Sequence, residues 1–223
     1  MNQAEAEDAA LHIFHAEPKL LEWTYQTVNS FALYAGANRS LKDRLCPKGE
    51  ASQLADRYRE PAALMTVSRL YALFDRSAGV SFQTVKGKLA DPTVQQLLVN
   101  NYVGRSSYNA GYLESECRDS IAKFLADYTG LNVPTLRRLY HFRNIGLAHV
   151  TLQEVKKSIS YQEMEDMVRL AAKLAHSLTL AARSHNTLLD REPDSGSERI
   201  RDEWLACIRR DASFYDQVST IRP

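Results

Sequence analysis

The run Leu139-Tyr140-His141-Phe142-Arg143-Asn144-Ile145-Gly146-Leu147-Ala148-His149-Val150 decides how the rest of this 223-residue chain is read. From Phe142 to Val150 it is largely apolar and carries three strongly polar side chains: Arg143, Asn144 and His149. Leu136, Leu139, Tyr140, Leu147 and Val150 recur at helical spacing. Arg143 falls in the same row, where a period of about 3.6 residues calls for another hydrophobe. A helix that is apolar nearly all round is normally buried, and buried polar groups must be paired or line a cavity. Arg143 is therefore expected to be paired in a core, placed at a subunit interface, or kept for chemistry.

Working outward, Asn132 and Pro134 open the helix that carries this run. Thr151-Leu152-Gln153-Glu154 reads as a capping box starting the next one, which puts His149 at a helix end beside a bend. A second capping box, Ser160-Tyr161-Gln162-Glu163, opens the cleanest amphipathic helix. Met164, Met167, Val168, Ala171, Leu174, Ala175, Leu178, Ala181 and Ala182 are in register there. Upstream, a short acidic amphipathic piece is expected to exit at Pro18, and a helix to run from near Lys19 toward Tyr34. Gly36 and Asn38-Arg39-Ser40 should loosen the chain, and Cys46-Pro47-Lys48-Gly49 should break it. A second long helix is expected over about residues 53–77, with Pro61 in its first turns or between two pieces.

Asp91-Pro92 should open a short helix over residues 93–99, residues 100–107 read as a loop, and helix returns over about 112–128 with Gly130 as its C-cap. A polar link precedes a last helix holding Trp204, Leu205, Ile208 and Phe214. Strand signals are almost absent. The expectation is an all-α, multi-helix bundle with a single core over residues 19–189. A short helical extension over 1–18 and a linker with a helix over 190–223 flank it.

At 44% hydrophobic, the chain is long enough for one ordinary core. A formal charge of +1 neither requires nor excludes nucleic acid, so local charge matters more. Cys46, Cys117 and Cys207 are far apart and match no Cys-x-x-Cys spacing, which argues for free thiols in a reducing compartment and against a zinc ribbon. The acidic N-terminus does not read as a signal peptide, and no apolar run has transmembrane length. A cytoplasmic protein without a membrane partner is expected.

His12 and His15 lie three apart and share a helix face, but no further ligands stand at suitable spacing, so they read as surface histidines. No Gly-rich phosphate loop, Gly-x-Ser-x-Gly elbow or His-Glu-x-x-His pattern occurs, and no cofactor or metal is expected. An Arg followed by a His after four to six intervening residues should arise by chance roughly one and a half times in such a composition. Two instances exist, Arg143/His149 and Arg169/His176. The second pair stacks on the polar side of the regular helix after Ser160 and reads as a solvated face. The first lies in an apolar setting that leaves it little water. Six residues place Arg143 and His149 about 120° apart on one straight helix, so convergence needs a kink near Gly146 or a second copy across a dimer axis.

Arg143-Asn144-Ile145-Gly146-Leu147-Ala148-His149 resembles the Arg-Asn-x-x-x-Ala-His form of the motif in HEPN domains, small all-α bundles found in toxins, abortive-infection proteins and CRISPR-associated ribonucleases. The likeness is strongest to an abortive-infection subgroup, which has a segment like Arg69-Leu70-Tyr71-Ala72-Leu73-Phe74-Asp75 on an earlier long helix, and it extends loosely from Trp23 to Arg183. Gly146 and Val150-Thr151-Leu152 depart from the charged residues common in the family. The resemblance implies metal-independent RNA cleavage in a composite site of a homodimer, in a toxin–antitoxin or phage-defence setting. Arg143 and His149 match its catalytic pair and Asn144 its supporting polar position. A nucleotidyltransferase-type antitoxin is an implied partner.

The chemistry of these residue types suits that role. Cleavage without metal needs a group to take the 2′-hydroxyl proton, and histidine titrates near neutral pH. It also needs a fixed cation for the developing phosphorane charge, which a guanidinium meets with two donors. Between Leu131 and Lys157, Arg137, Arg138, Arg143, Lys156 and Lys157 face one carboxylate, Glu154, a net of +4 that would favour an RNA backbone. The alternative is a non-catalytic helical module in which Arg143, Asn144 and His149 pin a dimer interface.

Overall fold

A computed structural model describes residues 1–42, 49–105, 109–147, 159–187, 189 and 192–220, with 145–147, 192 and 211–220 described in backbone only. The elements are helices, and no strand occurs among the described residues, so the all-α expectation holds. In chain order they are α1 (Gln3–Lys42), α2 (Glu50–Phe74), α3 (Phe82–Leu89), α4 (Pro92–Gly104), α5 (Ala110–Thr129) and α6 (Val133–His141). A π-helical turn (Phe142–Leu147), α7 (Tyr161–Arg183) and α8 (Glu192–Thr220) follow. They form two compact units, one of residues 1–26 with 67–190, the other of 27–66 with 191–223.

The first unit is built on α7. All nine residues named above for its apolar face are buried, and its start is the expected capping box, with Ser160 Oγ accepting from the Glu163 amide and Glu163 accepting from the Ser160 amide. α5 packs along it through Leu113, Cys117, Ile121, Phe124 and Tyr128, a row spaced by three or four residues. An aromatic cluster closes the core. The ring of Phe82 lies 5.6 Å from Phe74 and 6.2 Å from Phe124, and Phe74 lies 6.4 Å from Tyr128. The loop expected over residues 100–107 does not begin at Asn100, because α4 continues to Gly104 behind buried Val99 and Tyr102. Burial of one apolar face outweighs the weak propensity of Asn100 and Asn101.

Pro18 does not end a helix. It lies inside α1, and Ala6, Ala9, Ala10 and Ile13 ahead of it are buried in the first unit. A proline leaves the carbonyl four residues back without its amide donor. That carbonyl belongs to Phe14, and it accepts instead from Arg183 Nη2 at 3.5 Å. The same guanidinium pairs through Nε with Glu17, which is only 1% exposed and also accepts from Thr179 Oγ1 at 2.8 Å. The end of α7 thus supplies what the proline removes.

The second unit corrects another expectation. Gly36 does not loosen the chain, because α1 runs unbroken to Lys42. A Cβ at Gly36 would lie 2.5 Å from Ile200 Cγ2 and 2.9 Å from the Arg201 amide nitrogen, and one at Gly196 would lie 3.2 Å from Ala32 Cβ. The glycines therefore serve close helix crossing between α1 and α8 rather than a turn. Arg39 donates to Ser197 Oγ at 3.2 Å beside this crossing. Residues 192–197, read from sequence as linker, are already in α8. Pro61 lies inside α2, which spans residues 50–74 without a break.

Candidate functional site

α6 begins as its sequence dictates, with Asn132 Oδ1 accepting from the Thr135 amide at 3.1 Å and Pro134 in the first turn. Thr135, Leu136 and Leu139 are buried. After His141 the backbone ladder changes to the wider π-helical turn over Phe142–Leu147. Such turns are rare and often accompany functional sites. This one falls on the motif and includes Gly146, near which convergence of Arg143 and His149 within one chain would need a kink.

The wider turn alters which residues share a face. In an i→i+5 turn, positions after Phe142 leave the 3.6-residue row set up by Leu136 and Leu139. The expected burial of the polar residues is accordingly overturned for the two that are described: Arg143 is half-buried and Asn144 is exposed. Arg143 lies over the ring of Tyr71 on α2, its guanidinium carbon 4.5 Å from the ring centroid. Its Nη1 donates to Asn144 Oδ1 at 3.1 Å. Among the described residues no carboxylate forms an ion pair with it.

Tyr71 is itself held. Tyr140 meets it edge-on at 5.0 Å and 66°, and the Tyr140 hydroxyl donates to the Phe74 carbonyl at the end of α2. Burial, then the neighbouring Asp75 carboxylate, pushes the Tyr140 phenol up to about 12, so it remains a neutral donor. Asp75 accepts from the Ser77 amide at 2.9 Å and from its hydroxyl at 2.8 Å, which fixes the chain as it leaves α2. Arg69, at the other end of the α2 segment singled out above, donates to the Gln26 carbonyl at 2.7 Å. The segment therefore contributes a tethered turn (Arg69, Asp75) and an aromatic seat (Tyr71). The sequence singled out Tyr71 only as part of that segment, since no local pattern records a partner some seventy residues away.

The basic surroundings are smaller than the linear count suggested. Arg138 forms an ion pair with Glu163 across α6 and α7, so one of the counted cations is neutralised from outside the counted window. Arg137 is exposed. His149, Lys156, Lys157 and the Thr151–Glu154 capping box lie outside the described residues. Of the proposed site, Arg143 and Asn144 are brought together, and Arg138 is assigned instead to joining α6 to α7.

The other pairs weighed from sequence are less solvated than expected. Arg169 and His176 are half-buried, with Arg169 2.8 Å from Glu165 and His176 Nδ1 3.3 Å from Thr187 Oγ1. His12 is half-buried because α1 is packed rather than frayed, while His15 is exposed. Among the described residues no three His, Cys, Asp or Glu side chains gather as metal ligands do, and no helix is long and apolar enough to cross a membrane. No family model, no curated protein and no solved structure matches the chain.

Proposed function

We propose that this chain is a metal-independent endoribonuclease of the HEPN kind, serving a toxin–antitoxin or phage-defence role and cutting RNA in a composite site of a homodimer. The observation that supports it is the setting of Arg143. The residue sits on a π-helical turn, oriented by an aromatic face and by Asn144, with no carboxylate pairing to neutralise it among the described residues. A structural arginine in a core is ordinarily paired with a carboxylate. One held on a ring keeps its charge and its donors for a phosphate. In this reading His149 takes the 2′-hydroxyl proton, Arg143 stabilises the phosphorane, Asn144 orients Arg143, and the products end in 2′,3′-cyclic phosphate and 5′-hydroxyl. Arg143→Ala and His149→Ala should each abolish cleavage of a mixed RNA substrate while the helical circular-dichroism signal stays unchanged. Equal cleavage by His149→Ala, or none by the parent protein with its neighbouring-gene products added, defeats the reading.

A second reading, a non-catalytic interaction module, is favoured by a different feature. On α2, Leu54, Tyr58 and Met65 are 43%, 61% and 48% exposed and stand with Pro61 at spacings of four, three and four, the ridge with which a helix packs on another helix. It predicts that Tyr58→Glu shifts the sedimentation coefficient toward a smaller species while nuclease assays register no change.

A further inference from the structure

The first unit contains a cavity of about 310 Å³ between α1, α2 and the segment leading into α3. Leu20, Trp23, Leu73 and Val80 supply most of its wall, Ala72 and Ala78 leave the space open, and among the described residues Lys19 is the one charged residue of the lining. The size is at the low end of the ~300–1,000 Å³ range of small-molecule pockets, enough for a short chain or a single ring. Lys19, Leu20 and Trp23 stand on one side of α1 at spacings of one and three, and all three line the cavity. Leu20 and Leu73 are buried, whereas Trp23 is 44% exposed, a large apolar side chain left wet beside an open space.

We infer that this cavity binds a small apolar carboxylate, an aliphatic chain or single ring with its anionic end at Lys19. Apolar walls select the body of such a ligand by removing it from water. Lys19 selects the sign of its head, because no carboxylate among the described residues forms an ion pair with this ammonium. The contrast lies in the second unit, where a cavity of about 400 Å³ is lined by Leu33, Tyr58, Met65 and Trp204 among others and, among the described residues, by no charged one. That lining selects for apolarity alone. Ala72 and Leu73 also follow Tyr71 directly on α2, so the cavity adjoins the turn that carries the seat of Arg143. The inference is independent of any nuclease activity.

The test uses the full chain with Trp204→Phe, which leaves Trp23 as the single tryptophan, and titrates it with octanoate and with octan-1-ol. Octanoate should shift Trp23 emission saturably and bind more tightly than the alcohol. Lys19→Met keeps the apolar stem and removes the charge. It should weaken octanoate roughly two- to fivefold, the size of an exposed ion pair, and leave octan-1-ol unchanged. Ala72→Phe, and separately Ala78→Phe in case the first disturbs α2, should fill the space and weaken both ligands at least tenfold. Calorimetric titration of the parent protein provides a readout free of the Trp204 change. The inference fails if neither method shows saturation, if the alcohol binds as well as the acid, if Lys19→Met leaves that preference intact, or if both filled variants bind like the parent.

Discussion

The guanidinium of Arg143 lies over the ring of Tyr71, 4.5 Å from its centroid, and this contact fixes the direction of the motif arginine. The two residues are on separate helices, α6 with its π-helical turn and α2, joined a second time by the Tyr140 hydroxyl on the Phe74 carbonyl. A ring face attracts a cation without neutralising it, unlike a carboxylate.

If the chain cleaves RNA as proposed, removing that seat should lower the rate without removing the arginine. Tyr71→Phe keeps the ring and should cleave RNA within about twofold of the parent. Tyr71→Leu removes it and should slow single-turnover cleavage about tenfold, in line with the ~0.5–2 kcal/mol such contacts contribute. Equal rates for both variants would mean that the seat plays no part in the reaction.

The substitute for the amide of Pro18 is open to a stability measurement. Arg183→Ala leaves the Glu17 carboxylate buried with Thr179 as its remaining described donor and strips the Phe14 carbonyl of its acquired partner. A loss of about 2 kcal/mol in urea unfolding is expected, below the ~3–5 kcal/mol for a fully enclosed pair because Arg183 is half exposed. Adding Glu17→Gln to this variant should recover part of the loss, since the stranded charge is then gone. Additive losses in the double variant would contradict the coupling.

His12 sets a pH dependence. Burial lowers its pKa below the ordinary 6.5, helped by Lys88 and His15 and opposed by a hydrogen bond to the Gly79 carbonyl. The folded chain then binds fewer protons than the unfolded chain, so stability is full above the unfolded value and falls as pH drops through 6.5 toward the lowered one. Urea midpoints should decline across that window, and the decline should be shallower in His12→Gln. An identical slope in the variant would remove His12 as the source.

Much of the fold was legible because it rests on local signals. The Ser160–Glu163 capping box, the Asn132 and Asp91 caps and the apolar face of α7 each depend on residues within a few positions of one another, and each stands where the pattern put it. The misreadings share one cause. Pro18 and Gly36 are helix breakers by local rules, and both lie inside α1 because distant groups, Arg183 and Ile200, change what those residues mean there.

The candidate site divides the same way. The sequence by itself determined an all-α chain and picked out Arg143 and Asn144 as polar residues out of place in an apolar helix. It did not determine that they would reach the surface. The π-helical turn and the Tyr71 ring, 72 residues from Arg143, decided that. Local chemistry sets which conformations are cheap. Packing between segments far apart in the chain decides which of them is kept, because burial and satisfied polar groups outweigh a few tenths of a kcal/mol of propensity per residue.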